Sequence, residues 1–335
     1  MIKKLLKRLI FVLYLFVITS VLLEIGVRLW GYSEHHLCDP IYMPFAQTQE
    51  IPYVHKPNLV NARARGLALI NTDSLGLRSK TSGERYGARM DNEYRIAIVG
   101  DSVTFGEGVL KTEDTFPQVL EDILNQKQSA VRVKVFNYAA SAYSVRVMAA
   151  TLQYRMLEAQ PNLVMMAIVP TDFNLSRTPS VDSWGYLTDN KMSGFLHRDS
   201  NLRPLLRKVH LLYLLRDLIY PVLDKSEKAE DILAAGGLPQ SYACLKQFSS
   251  TAEQQKLDYR IVLLPSLRST FGNLPAQLQQ DNISQLDLSA LRDQFTKEGF
   301  RSSKFDTHPS AAVHKRVGES LAAYILETRL LTSKK

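Results

Sequence analysis

Cysteine is scarce: only Cys38 and Cys244 occur in 335 residues. They do not have the paired spacing of a zinc or iron–sulfur ligand set, so no metal site is expected from them. Whether they pair with each other is left open. The glycines Gly100, Gly106 and Gly108 lack the Gly-Lys-Ser/Thr that would complete a phosphate-binding loop, and they miss the Gly-x-Gly-x-x-Gly spacing of a dinucleotide site. No internal repeat, low-complexity tract or basic block interleaved with aromatics is present, which argues against a repeat architecture and against nucleic acid as a partner. Nothing in the chain calls for a cofactor.

Charge is missing where it matters most. Leu9 to Leu23 contains no charged residue and only Thr19 and Ser20 as polar ones. With Leu5-Leu6 before it and Ile25-Gly26-Val27 after it, the run approaches the ~20 residues that span a bilayer. No small-x-small cleavage site follows, since the chain continues Glu24-Ile25-Gly26-Val27-Arg28, which favours an uncleaved anchor over a removable signal. Lys3, Lys4, Lys7 and Arg8 crowd the N-terminal side. That asymmetry predicts a single-pass protein with a cytoplasmic N-terminus and an extracytoplasmic remainder, periplasmic if the cell is Gram-negative. Setting those four charges aside leaves +4 of the formal net +8 for the rest, enough only for a weak attraction to anionic lipid or acidic glycan. His35 and His36, close to Cys38, are read as solvated residues beside the anchor rather than as a metal pair.

The remaining chain divides in two. Residues 29–94 follow the anchor (1–28) without long periodic runs and are read as an irregular connecting segment, with short strands around Leu67 to Asn71. From Arg95 to Leu331 the pattern is regular. Apolar runs at Ile96–Val99, Val131–Phe136, Leu163–Val169 and Tyr259–Leu264 predict buried parallel strands. Helical patterns at Thr115–Gln126 and Val145–Leu157 lie between them, and a final helix is expected over Ala311–Leu331. Such alternation predicts a three-layer, doubly wound α/β domain. A helical insertion at about 175–255 interrupts it. Within the insertion, Leu202–Leu223 is apolar with Arg203, Arg207, Lys208 and Arg216. The favoured reading packs it on the domain, the alternative being a lid or membrane-surface helix. Gly236-Gly237 reads as a connection.

In such a sheet, reactive groups gather at the carboxyl ends of strands. Arg95 to Gly106, RIAIVGDSVTFG, puts Ser102 there after the first strand. Asn137 to Ser144 follows the second strand, Val169 to Asn174 the third, and Phe305 to Ser310 precedes the final helix. Each of the four segments carries polar residues at a predicted strand end or helix start, which makes Ser102 a candidate nucleophile.

Gly100-Asp101-Ser102-Val103, with Thr104-Phe105-Gly106 and Gly108-Val109, together with Asp306-Thr307-His308-Pro309-Ser310, resembles the first and last blocks of the SGNH (GDSL-type) hydrolase superfamily. Its membrane-anchored bacterial members are the most similar. The upstream Ile70-Asn71-Thr72-Asp73-Ser74-Leu75-Gly76-Leu77-Arg78 also resembles the segment preceding the first block in those members. The resemblance spans roughly residues 65 to 325. It implies a flavodoxin-like three-layer fold and acyl-ester chemistry through a serine nucleophile. In that chemistry Ser102 attacks, His308 takes its proton, and Asp306 fixes the imidazole tautomer. Asp101 shapes the turn, and His314 is read as packing.

Two blocks depart from the pattern. Ala142 stands where the family has the glycine whose N–H serves the oxyanion hole, and Thr171 stands at the third block's asparagine, in Val169-Pro170-Thr171-Asp172. Ser102, Ala142 and Thr171 are therefore the expected oxyanion donors, with Asn174 as a substitute for Thr171. The implied substrate is an acyl ester, with an O-acylated envelope glycan as one such ester. The alternatives are an O-acyltransferase acting on an envelope glycan and a non-catalytic glycan-binding or scaffold protein on the same fold.

Overall fold

A computed structural model describes residues 2–32, 38–128, 130–176, 179–188, 208–223, 239–267 and 269–331. His35, His36, Gly236, Gly237, and Arg203 and Arg207 of the apolar run lie outside the described residues.

Five strands form the central sheet: β1 (Glu93–Gly100), β2 (Arg132–Asn137), β3 (Leu163–Ile168), β4 (Asp258–Leu263) and β5 (Gln285–Asp287). All neighbours are parallel, in the spatial order β5-β4-β3-β1-β2. This is the doubly wound order whose direction of winding reverses beside β1. Every residue of β1 and β3 is buried, which is why Ile96–Val99 and Leu163–Ile168 read as continuous apolar runs rather than alternating ones, with the buried Glu93 and Arg95 paired at the start of β1. Register aligns their ends, with Gly100 opposite Ala167 and Ile98 opposite Asn137. The sequence pattern missed β5, because Gln-Leu-Asp has no apolar run; it is held by pairing with Ile261–Leu263.

The pleat of β1 divides the core. Ala97 and Val99 pack with α4 (Val145–Tyr154) and α6 (Pro239–Gln254), whereas Ile96 and Ile98 pack with α3 (Phe116–Lys127) and α7 (Ala311–Glu327). The expected three layers are present. Helix ends shift by a few residues from the pattern: α4 stops at Tyr154, followed by a 3-10 turn at Met156–Ala159. α6 falls within the span expected to be an insertion, yet Leu245, Phe248 and Ala252 are fully buried against the sheet. It completes the α/β sandwich. Earlier in that span, Ser180–Val181 pairs with Leu187–Thr188. No disulfide joins Cys38 and Cys244, and Cys244 is buried within α6.

Residues 29–94 do more than connect. Ile41, Ile51, Tyr53, Ile70 and Leu77 are buried in the same core as β1 and α4. Ala62–Arg65, Ala68–Thr72 and Arg78–Ser79 form a small antiparallel sheet. These residues are scattered singly along the sequence, so no periodic signal announces their burial.

Ahead of them stands α1 (Ile2–Leu29), with a mean hydropathy of 2.5 over its most apolar window and only 6% of that window buried. It is long and apolar enough to cross a membrane. α5 (His210–Leu223) packs against its far end.

Candidate active site

β1 ends on Gly100 because nothing larger fits: a Cβ there would lie 2.1 Å from Thr104 Oγ1 and 2.6 Å from Ala167 O. The chain then turns at once into α2 (Ser102–Phe105), capped by Asp101, whose Oδ1 accepts from the Val103 amide at 2.9 Å. Gly106 closes this turn in the left-handed region, φ 87°, with its N–H on Ser102 O. The loop is fastened from outside by buried Arg78, which donates to Phe105 O (3.2 Å), Gly106 O (2.7 Å) and Val109 O (2.9 Å). That is the physical role of the upstream Leu77-Arg78 pair, and it fixes Ser102 at the carboxyl edge of the sheet.

His308 arrives on the two-stranded ribbon of Arg301–Ser303 and Asp306–Pro309 that leads into α7. Its Nε2 lies 2.9 Å from Ser102 Oγ and its Nδ1 lies 2.5 Å from Asp306 Oδ1. Asp306 Oδ1 also accepts the His308 amide at 3.1 Å, so the two-residue spacing lets one carboxylate hold both backbone and ring. With the ring proton on Nδ1, the serine hydroxyl donates to Nε2.

Glu107, which the sequence reading did not single out, also faces this ring. Its Oε2 lies 3.2 Å from His308 Nε2 and 3.0 Å from Arg65 Nη1, while its Oε1 accepts from Ser141 Oγ at 2.5 Å. Burial pushes the Glu107 carboxyl up, but Arg65, His308 and the Ser141 hydrogen bond outweigh it and hold the group below the usual range. For His308, burial disfavours the cation, but the Asp306 hydrogen bond and the charges of Glu107 and Asp306 outweigh it, so the imidazole rises above 6.5. A carboxylate beside an unprotonated ring nitrogen favours a proton there. The one available signal was a carboxylate held between Gly106 and Gly108 directly after the first block. Arg65 gave none.

The expected oxyanion donors lie on two further turns. Ala142 adopts φ 64°, the left-handed conformation that glycine takes readily and alanine does not. Its turn is pinned by Tyr53, whose hydroxyl donates to Ser141 O at 2.6 Å, and Tyr143 returns a bond to Tyr53 O at 2.5 Å. Thr171 is exposed in the turn Pro170–Phe173 that follows β3. The Asn174 Oδ1 accepts from Ser176 N (3.1 Å) and Ser176 Oγ (2.6 Å). Asp172, buried behind Thr171, accepts the Val169 amide at 2.8 Å and shares a side-chain hydrogen bond with Asp101. Burial raises the Asp101 carboxyl above the usual carboxylate range.

His314 is a packing residue. It is buried, accepts the Phe116 amide at 3.2 Å, stacks on the Phe116 ring, and is pushed down to about 3 by burial. His55, stacked 4.4 Å from the Phe105 ring, is likewise held neutral by burial, at about 3.

No family model matches the chain, and no curated protein does. Among solved structures it is similar to a Clostridium thermocellum family 3 carbohydrate esterase, with 13% identity, 72% of this chain and 100% of that chain covered, and a TM-score of 0.44. It is also similar to a protein assigned to the lipolytic G-D-S-L family from Desulfitobacterium hafniense DCB-2, with 16% identity, 68% and 98% covered, and a TM-score of 0.42. A third is the lipase/acylhydrolase from Enterococcus faecalis, with 9% identity, 70% and 96% covered, and a TM-score of 0.42. The parallel sheet, its strand order and the meeting of the first and last blocks at one edge fit an SGNH-type α/β fold.

Proposed function

We propose that this chain is a serine esterase of SGNH type, held at the membrane by α1 and acting outside the cytoplasm on an acyl ester. The observation that carries the reading is the hydrogen-bonded series Asp306–His308–Ser102, assembled from distant parts of the chain at the end of β1. Ser102 Oγ attacks the ester carbonyl carbon as its proton passes to His308 Nε2. The resulting imidazolium is stabilised by Asp306 and, at its other nitrogen, by Glu107. The tetrahedral oxyanion takes the amides of Ser102 and Ala142, with the Thr171 hydroxyl as the side-chain donor. Collapse expels the alkoxide, which leaves as the alcohol with the proton from His308. Water, deprotonated by the same imidazole, then releases the acid and restores Ser102.

The basic residues ahead of Leu9–Leu23 support a cytoplasmic N-terminus, and the unburied apolar flank of α1 supports a membrane around it. A domain so placed meets O-acylated glycans of the envelope, and an acyl ester of such a glycan is the substrate class of this reading. The test is acid release from an activated short-chain ester and from an O-acetylated oligosaccharide, by full-length wild type and by Ser102→Ala in detergent. Wild-type turnover that Ser102→Ala abolishes supports the reading, and turnover that survives the substitution overturns it.

A further inference from the structure

The outer end of α1 is joined to the domain at the place where the His308 loop sits. Glu24 accepts the amides of His210 (3.0 Å) and Leu211 (2.7 Å), satisfying first-turn donors of α5. Arg28 donates to Lys208 O at 2.7 Å and pairs with Glu24 at 2.8 Å. Further along both segments, the Tyr32 hydroxyl bonds Asp217 Oδ2 at 2.5 Å, so α5 runs beside the point where the chain leaves α1. Trp30 and Tyr32 both meet the Phe305 ring edge-on, at 4.9 and 5.2 Å, and Lys304 Nζ donates to Trp30 O at 2.9 Å. Phe305 directly precedes Asp306, so one aromatic cluster links the anchor to the loop that carries Asp306 and His308.

Around this junction the apolar surface is open. Leu29 is 84% exposed, Trp30 54%, and on α5 Leu215, Leu218 and Ile219 are 44%, 63% and 51% exposed. The α5 residues share one helical face. Leu29 and Trp30 continue the unburied apolar surface of α1, and α5 packs beside that end of the helix. The tryptophan of this patch, Trp30, sits where amphipathic rings mark the edge of a bilayer, with the buried Tyr32 ring stacked against it. Arg28, Lys208 and Lys304 surround it with exposed or half-exposed cations, which suits an anionic headgroup layer.

We propose that this patch is seated in the outer leaflet of the membrane that α1 crosses, so that the Ser102 site works at the lipid surface on an acyl ester carried by a membrane-resident amphiphile. The substrate half of this inference rests on the esterase reading; the docking half rests only on α1 remaining in the protein as an anchor. Docking is read without catalysis. Full-length protein bearing Leu218→Trp, with Trp30→Phe and Trp184→Phe removing the native indoles, is reconstituted into phosphatidylcholine vesicles containing a minor anionic lipid. Acyl-chain-brominated lipid is expected to quench the indole at least about twofold while aqueous iodide reaches it poorly. A Met90→Trp reference, at the opposite end of β1, should behave the other way round. An unquenched indole at 218 that is open to iodide overturns the docking.

The substrate half is read by comparing one acyl ester presented in vesicles with a soluble short-chain ester, using wild type and the double substitution Leu218→Glu with Ile219→Glu. The double variant should lose about tenfold on the vesicle-borne ester and stay within about twofold on the soluble one. Equal treatment of both esters by the two proteins overturns the membrane-resident substrate. If wild type turns over neither ester, the hydrolase reading fails, and the quenching result still decides the docking.

Discussion

Ala142→Gly should stabilise this protein, although it removes a side chain from a half-buried turn. Ala142 is held at φ 64°, where an L-residue with a Cβ costs about 1–2 kcal/mol relative to right-handed backbone. Glycine removes that cost. Its greater freedom in the unfolded chain takes back about 0.4–1 kcal/mol. The balance is about 0.5–1 kcal/mol in favour of the variant, which for a domain of this size is roughly 1–4 °C in Tm. Thermal unfolding in detergent, followed by tryptophan fluorescence, measures it. Ala139→Gly is the control: Ala139 is equally close to the site but fully buried and has no positive φ, so losing its methyl should cost about 1 kcal/mol. Because Ala142→Gly keeps the backbone N–H, kcat on a soluble ester should stay within about twofold. A fall in Tm matching that of Ala139→Gly would refute the left-handed turn and, with it, the orientation of the Ala142 amide.

Three further outcomes follow from the site. Glu107→Gln removes a negative charge 3.2 Å from His308 Nε2, so the imidazole should lose its proton more easily and the acid limb of kcat/KM should move to lower pH; an unmoved limb would mean that Glu107 does not act on the ring. Arg78→Met should leave Phe105 O and Val109 O without their donor, and Gly106 O with the Val109 amide alone, and cost about 2 kcal/mol or more in urea unfolding, without a change in the pH profile. Thr171→Val should lower kcat with KM little changed, by up to ~3–4 kcal/mol of barrier if the hydroxyl is a full oxyanion donor. Loss on Asn174→Ala instead would reassign that donor to the Asn174 Nδ2 amide, the end of the side chain that Ser176 does not hold.

Much of this arrangement was legible because it is written in local pattern. β1 and β3 are buried on both faces, and such strands show up as unbroken apolar runs. Ser102 and His308 stand in blocks that resemble the first and last blocks of the SGNH hydrolases, and that resemblance rather than any spacing rule paired residues so far apart; in the fold His308 Nε2 lies 2.9 Å from Ser102 Oγ. What the sequence hid depends on tertiary contact alone. Tyr53, Arg65 and Arg78 come from a segment without periodicity, yet they pin the Ser141 turn, neutralise Glu107 and fasten the Ser102 loop. No spacing rule links Arg65 to Glu107. α6 escaped notice because its buried face mixes Tyr242, Cys244, Leu245, Phe248 and Ala252 with the polar Ser241 and Ser249, so no clean apolar stripe marks it. The exposure of Leu218 and Ile219 is also invisible in a run that reads equally well as core.

The most direct test of the central claim is the covalent state of Ser102. Full-length protein is mixed with an activated acetyl ester, quenched in acid within the first turnovers, digested and analysed by mass spectrometry. An acetyl group is expected on Ser102, accumulating in a burst that precedes steady release of acetate and absent from Ser102→Ala and from His308→Ala. Steady ester turnover with Ser102 unmodified throughout, or the same burst in Ser102→Ala, would contradict the account.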